Sequence, residues 1–209
     1  MALYIPDIKL LFIHNPKTAG MSIRHSLMSN SNLQLGAKAV EIGEVHNGVK
    51  EVIELKGSQF LDSCLSFGVV RNPYDWVVSY YNFTKSSNEH PDYELVKDMS
   101  FTEYVDFLCD AILSRRTIST GRYMTQSDAL CIDKNKKGVN VILRHEKLQD
   151  DWNLIGLFLG EKLPLRHINS SYLETPYDRY YNNRLREMIG LVFQDDFINF
   201  NYKFQHLSG

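Results

Sequence analysis

The chain has 209 residues, 44% hydrophobic and 23% charged, which is enough apolar material for one substantial domain over 1–209. Its formal net charge of −2 leaves no broad basic face for nucleic acid, so any anion site must be local. No apolar run approaches the ~18 residues of a membrane span. The first residues carry no basic leader and begin at Met1, so the chain reads as a soluble, cytoplasmic protein with no membrane insertion. Cys64, Cys109 and Cys131 lack metal-ligand spacing and read as buried, reduced thiols.

Short apolar runs alternate with segments of helical period, the pattern of an α/β fold in which helices cover both faces of a central parallel sheet. The first strand is expected over Lys9–His14, followed by a helix from about Ala19 to Ser29 with Ile23 and Leu27 on one face. A helical segment is expected over Asn47–Leu55, and a second strand over Leu65–Val70. Asn72 then caps a helix that opens with Pro73 and carries Trp76, Val77, Tyr80 and Tyr81, read as core. Glu89–Asp98 reads as a polar loop and a candidate lid. Ser100 and Glu103 form a capping box for a helix to about Leu113. Asp133–Gly138 reads as a loop and Val139–Leu143 as a third strand. Helices follow at Asp150–Leu159, closed by Gly160, and at about Asn182–Phe197.

Two constellations carry chemistry. In Lys17-Thr18-Ala19-Gly20-Met21-Ser22 a strand delivers a lysine, two hydroxyls and free backbone N–H groups to a helix N-terminus, which suits an anion. The lysine precedes the only glycine, so the Walker A order and its Mg²⁺ hydroxyl are absent. Taken alone, the loop serves equally as a plain strand-to-helix turn with a solvated lysine. In the second constellation Arg71 ends a buried strand, where open α/β sheets bind ligands, and Ser79 follows eight residues on. Arg71 suits a phosphate through its planar fork, or pairs with Asp75. Two anion sites at neighbouring strand ends suggest a ligand with phosphates at both ends.

These two segments, Phe12 to Ser22 and Val70 to Tyr81, resemble the two signatures of the sulfotransferases. The resemblance is closest to the carbohydrate O-sulfotransferase branch that includes the heparan sulfate 2-O- and chondroitin sulfotransferases. Val141 to Leu148, His167 to Ser171 and Asp195 to Tyr202 are similar to later segments of that family, so the likeness spans nearly the whole chain.

The resemblance implies a P-loop-NTPase-like sheet and 3′-phosphoadenosine 5′-phosphosulfate (PAPS) as sulfate donor, with 3′,5′-adenosine bisphosphate (PAP) as product and no metal. It implies that Lys17 to Ser22 hold the 5′-phosphosulfate, and that Arg71 and Ser79 hold the 3′-phosphate. Lys17 would steady the leaving group, and Arg144 would touch donor or acceptor, or else pair with Glu146. His46, placed before a short helix between the two motifs, would be the catalytic base, with His14 as its rival. Asn47-Gly48 departs from the aliphatic or hydroxyl residues the family carries after that histidine. The expected partner is a carbohydrate or other hydroxyl-bearing acceptor. Rival readings are a small-molecule kinase dependent on Mg²⁺ and a non-catalytic module that binds an adenosine bisphosphate.

Overall fold

The computed structural model describes residues 2–28, 39–43, 48–115, 117–118, 121–122, 124–160, 163–165 and 176–204. In chain order the first elements are β1 (Ala2–Ile5), β2 (Leu10–Ile13), α1 (Gly20–Met28), β3 (Val40–Ile42), α2 (Val49–Lys56), α3 (Ser58–Asp62) and β4 (Leu65–Val70). Next come α4 (Pro73–Ser86), α5 (Tyr93–Val96), α6 (Phe101–Leu113), β5 (Thr117–Ile118), β6 (Gly121–Arg122) and α7 (Gln126–Leu130). The last are β7 (Cys131–Asp133), β8 (Lys136–Lys137), β9 (Val141–Arg144), α8 (Leu148–Leu159), α9 (Asn183–Val192) and α10 (Gln194–Phe200). Contacts divide the chain into two units, Met1–Arg71 with Asp128–Ser170, and Asn72–Ser127 with Ser171–Gly209.

The first unit is built on a sheet of order β3-β1-β2-β4-β9. Strands β2, β4 and β9 are parallel: Phe12 sits beside Phe67, and Val70 beside Arg144. Leu10 to Ile13 are all buried, because helices cover both faces of the sheet. On one face Phe12, Phe67 and Leu143 pack with Ile23 and Leu27 of α1 and with Trp152 and Ile155 of α8. On the other face Tyr4 meets Phe60 of α3 edge-on at 4.8 Å. There too Gly68 makes room for Leu130, whose Cδ2 would lie 2.5 Å from any added Cβ.

The expected α/β fold, with helices on both faces of a parallel core of strands, is present; its other side is mixed, since β1 runs antiparallel to both β2 and β3. The connection that reverses the chain is a single 3-10 turn, Pro6–Ile8, closed by Lys9 in the left-handed conformation at φ 48°. A parallel pair needs a long crossover, whereas this tight return forces antiparallel pairing.

The second unit buries Trp76, Tyr80 and Tyr81 of α4 with Tyr104 and Leu108 of α6 and Ile189 of α9, so those aromatics are core, as expected. Asn72 caps α4 by accepting the Tyr74 N–H at 3.1 Å. The Ser100–Glu103 capping box also forms. The expected final helix breaks at Phe193 into α9 and α10. Glu89–Asp98, read as a loop, contains the short helix α5 (Tyr93–Val96). Asp92 is 3% exposed, and its N–H donates to His90 Nδ1 at 3.1 Å. The His90 ring lies edge-on against Phe83 at 5.3 Å. Asp133–Gly138, also read as a loop, contributes β8 to a hairpin with β7.

A buried carboxylate organises the end of this unit. Asp196, fully buried on α10, accepts the Gln126 N–H at 3.0 Å, the Gln126 side-chain amide at 3.2 Å and the Ser127 N–H at 2.7 Å. The two backbone donors are orphan N–H groups at the start of α7. Asp196→Ala leaves them unmet, and each buried orphan costs about 1–3 kcal/mol. The denaturation midpoint should therefore fall clearly in equilibrium unfolding. Burial pushes the Asp196 carboxyl up from 3.8 to about 6, against the pull of its hydrogen bonds. Between those values the folded chain holds a proton that the unfolded chain has released, so this residue's contribution to stability declines as pH rises from 3.8 to about 6. The alanine variant should lack that slope.

Candidate functional site

The anion loop leaves the carboxyl end of β2 and is folded tightly before it becomes α1. Asn15 is buried and its Nδ2 donates to the Val69 carbonyl at 3.1 Å, tying the loop to β4. The Thr18 hydroxyl is fully buried and donates to the Asn15 carbonyl at 2.7 Å. Lys17 and Ala19 both take left-handed backbone angles, φ 60° and 64°, with Thr18 between them. Each such non-glycine residue stores ~1–3 kcal/mol of strain, which collects at sites that need a special backbone. Alternating hand turns successive N–H groups toward a common side, the geometry of an anion nest. At Gly20 the reason for glycine is space: an added Cβ would lie 1.9 Å from His14 Nε2. Ser22 is buried on the first turn of α1, while the Met21 side chain is 54% exposed.

Arg71 stands just past the end of β4, 7% exposed, and its Nη1 donates to the Lys17 carbonyl at 3.3 Å. The two cations therefore share one corner of the first unit. Burial first, and the Arg71 charge second, lower the Lys17 ammonium to about 8. Folding has brought two like charges together at a helix N-terminus, an arrangement that an anion relieves. Arg144 ends the adjacent strand, in register with Val70, and its N–H donates to Asp151 Oδ2 of α8 at 2.7 Å.

Ser79 belongs to the second unit, two turns into α4. It is fully buried, and its Oγ has no hydrogen-bond partner among the described residues. His14 stacks on Phe12 with ring centroids 5.8 Å apart and wedges against Gly20. His46 and the His167–Ser171 segment lie outside the described residues. Sequence reasoning took Asn15 only as a strand terminator and missed both its bond to β4 and the grip of Arg71 on Lys17. A polar residue directly after a fully apolar strand was the available signal for the first.

The corner can bind a doubly charged oxyanion through a lysine, an arginine and turned backbone N–H groups. Among the described residues no three His, Cys, Asp or Glu side chains group as a metal site, and no helix is long and apolar enough to cross a membrane. All three cysteines are buried thiols outside any disulfide, as expected. Residues 1–203 match the model of the Sulfotransferase family. No curated protein matches the chain.

Proposed function

The chain belongs to the sulfotransferase family, and we propose from that premise that it transfers sulfuryl from PAPS to an acceptor hydroxyl, on a carbohydrate, and releases PAP. The observation that carries this reading is the Lys17–Arg71 corner, with Arg71 on the Lys17 carbonyl at 3.3 Å and Lys17 lowered to about 8. The fully buried Ser79 Oγ, without a hydrogen-bond partner among the described residues, fits a second phosphate, because a buried hydroxyl left unmet is costly unless a ligand satisfies it.

The donor supplies an activated sulfate, whose bond to the phosphate breaks with the electron pair left on the bridging oxygen. Lys17 stabilises that charge, and the backbone N–H groups of residues 18 to 22 with the Ser22 hydroxyl hold the phosphate. Thr18 contributes through its N–H, since its hydroxyl proton is committed to Asn15. Arg71 and Ser79 hold the 3′-phosphate, and Arg144 contacts donor or acceptor. His46 takes the proton of the acceptor hydroxyl as the new O–S bond forms. Most of the acceleration comes from in-line positioning and charge stabilisation.

Thermal denaturation with added nucleotide tests the reading. PAP should raise the melting temperature without Mg²⁺, since a ligand at 100 times its Kd adds about 2.7 kcal/mol of stability. Preference for Mg-ATP would overturn it in favour of a kinase. Stabilisation by PAP without transfer of labelled sulfate to any member of a hydroxyl panel would leave a binding module.

A further inference from the structure

In the first unit, two bonds tie the anion loop to the end of β4. Asn15 Nδ2 reaches the Val69 carbonyl at 3.1 Å, and Arg71 Nη1 reaches the Lys17 carbonyl at 3.3 Å. The second bond lands on a residue in the left-handed conformation, where the direction of the carbonyl depends on what holds it. A peptide unit is planar and trans, so its C=O and the next N–H point in opposite directions. Arg71, by holding the Lys17 oxygen, thereby aims the Thr18 N–H away from itself.

A neutral amide would hold a carbonyl without repelling the lysine. A guanidinium here sets a second positive charge beside the lysine. The titratable side chains at the ends of the three parallel strands are His14 after β2, Arg71 after β4 and Arg144 on β9. Of these, Arg71 is the one whose charge bears on Lys17.

We propose that Arg71 is a positioning residue for Lys17: its hold on the Lys17 carbonyl couples the strand end that takes the donor's 3′-phosphate to the loop that takes the leaving phosphate, so that the 3′-phosphate governs turnover as well as affinity. This rests on the donor assignment above. An anion on Arg71 offsets its charge, keeps Lys17 protonated and leaves the carbonyl grip intact.

Kinetics with PAPS and with adenosine 5′-phosphosulfate, which lacks the 3′-phosphate, give the first readout. The wild type should show a kcat at saturation ~10–10²-fold lower with the second donor, the scale of a small misplacement of reacting groups. Arg71→Gln should depress kcat with PAPS toward that level and narrow the difference between donors. Arg71→Lys, which keeps the charge without the fork, should fail to restore kcat. Loss confined to KM, with kcat equal for both donors, overturns the proposal.

A second readout needs no turnover. Lysine ¹³Cε titration by NMR, with Lys17 assigned through Lys17→Arg, should show the Lys17 midpoint rising in Arg71→Gln without nucleotide. Adenosine 3′-monophosphate should raise it in the wild type but not in that variant. An unmoved midpoint in Arg71→Gln overturns the coupling. A midpoint that moves in Arg71→Gln, while no nucleotide binds the wild type, overturns the donor assignment and keeps the link between the two residues.

Discussion

Lys17→Ala is expected to lower kcat by ~10²–10³-fold, the loss seen when one preorganised donor is removed from a developing oxyanion. PAP should still stabilise the variant, because Arg71, Ser79 and the backbone N–H groups remain. The effect is large because the lysine acts from a partly dry corner, where a charge interaction is screened less than in water. Steady-state transfer of labelled sulfate at saturating donor measures the loss, and a variant with wild-type turnover would remove Lys17 from the chemistry. The pH profile carries the same residue's signature. The reaction needs the ammonium, which burial and Arg71 lower to about 8 in the free protein. kcat/KM should therefore fall above about pH 8, whereas Lys17→Arg, which keeps its charge at any working pH, should have a residual activity without that limb. The stability slope runs the other way. Above about 8 the folded chain has lost a proton that the unfolded lysine keeps to 10.5, so this group's contribution to stability rises with pH across that window.

Much of this corner is legible in the sequence. The apolar run of β2, the helix start at Gly20 and the Arg71-Asn72-Pro73 boundary are local signals, and each element formed where those signals placed it. The helix caps at Asn72 and Ser100 were readable for the same reason, since a cap is satisfied within three residues. What stayed hidden depends on residues far apart in the chain. β1 is edged by a short turn and carries no marker of its own, and its strand character comes from pairing with β2 and β3. The bond from Arg71 to the Lys17 carbonyl spans 54 positions and needs a left-handed backbone at a lysine, which no residue type announces. Asp196 is similar. Its neighbour Asp195 has the same chemistry, and only the packing of α10 shows which carboxylate is buried against the start of α7.

His46→Ala is expected to cost ~10²–10⁴ in kcat, the usual contribution of a positioned general base, while PAP binding stays near the wild-type value. The position of His46 in the chain now has a physical frame on its C-terminal side. Two residues on, Gly48 precedes α2, and its N–H donates to Glu51 Oε2 at 2.9 Å. An added Cβ at Gly48 would lie 2.7 Å from the Ala129 carbonyl oxygen. A side chain at position 48 would meet backbone here, so the glycine reflects a close approach between the start of α2 and Ala129. Val49, the next residue, is fully buried and presses on Gly138, where a Cβ would fall 2.6 Å from Val Cγ1. The start of α2 is thus anchored on two sides. The competing histidine makes a different prediction. His14 is stacked on Phe12 and wedged against Gly20, so His14→Ala should act first on stability, by opening a cavity beside α1. Turnover measured on the two variants at a temperature where both remain folded separates the roles. Loss confined to His14→Ala, with His46→Ala at wild-type rate, would transfer the base to the end of β2.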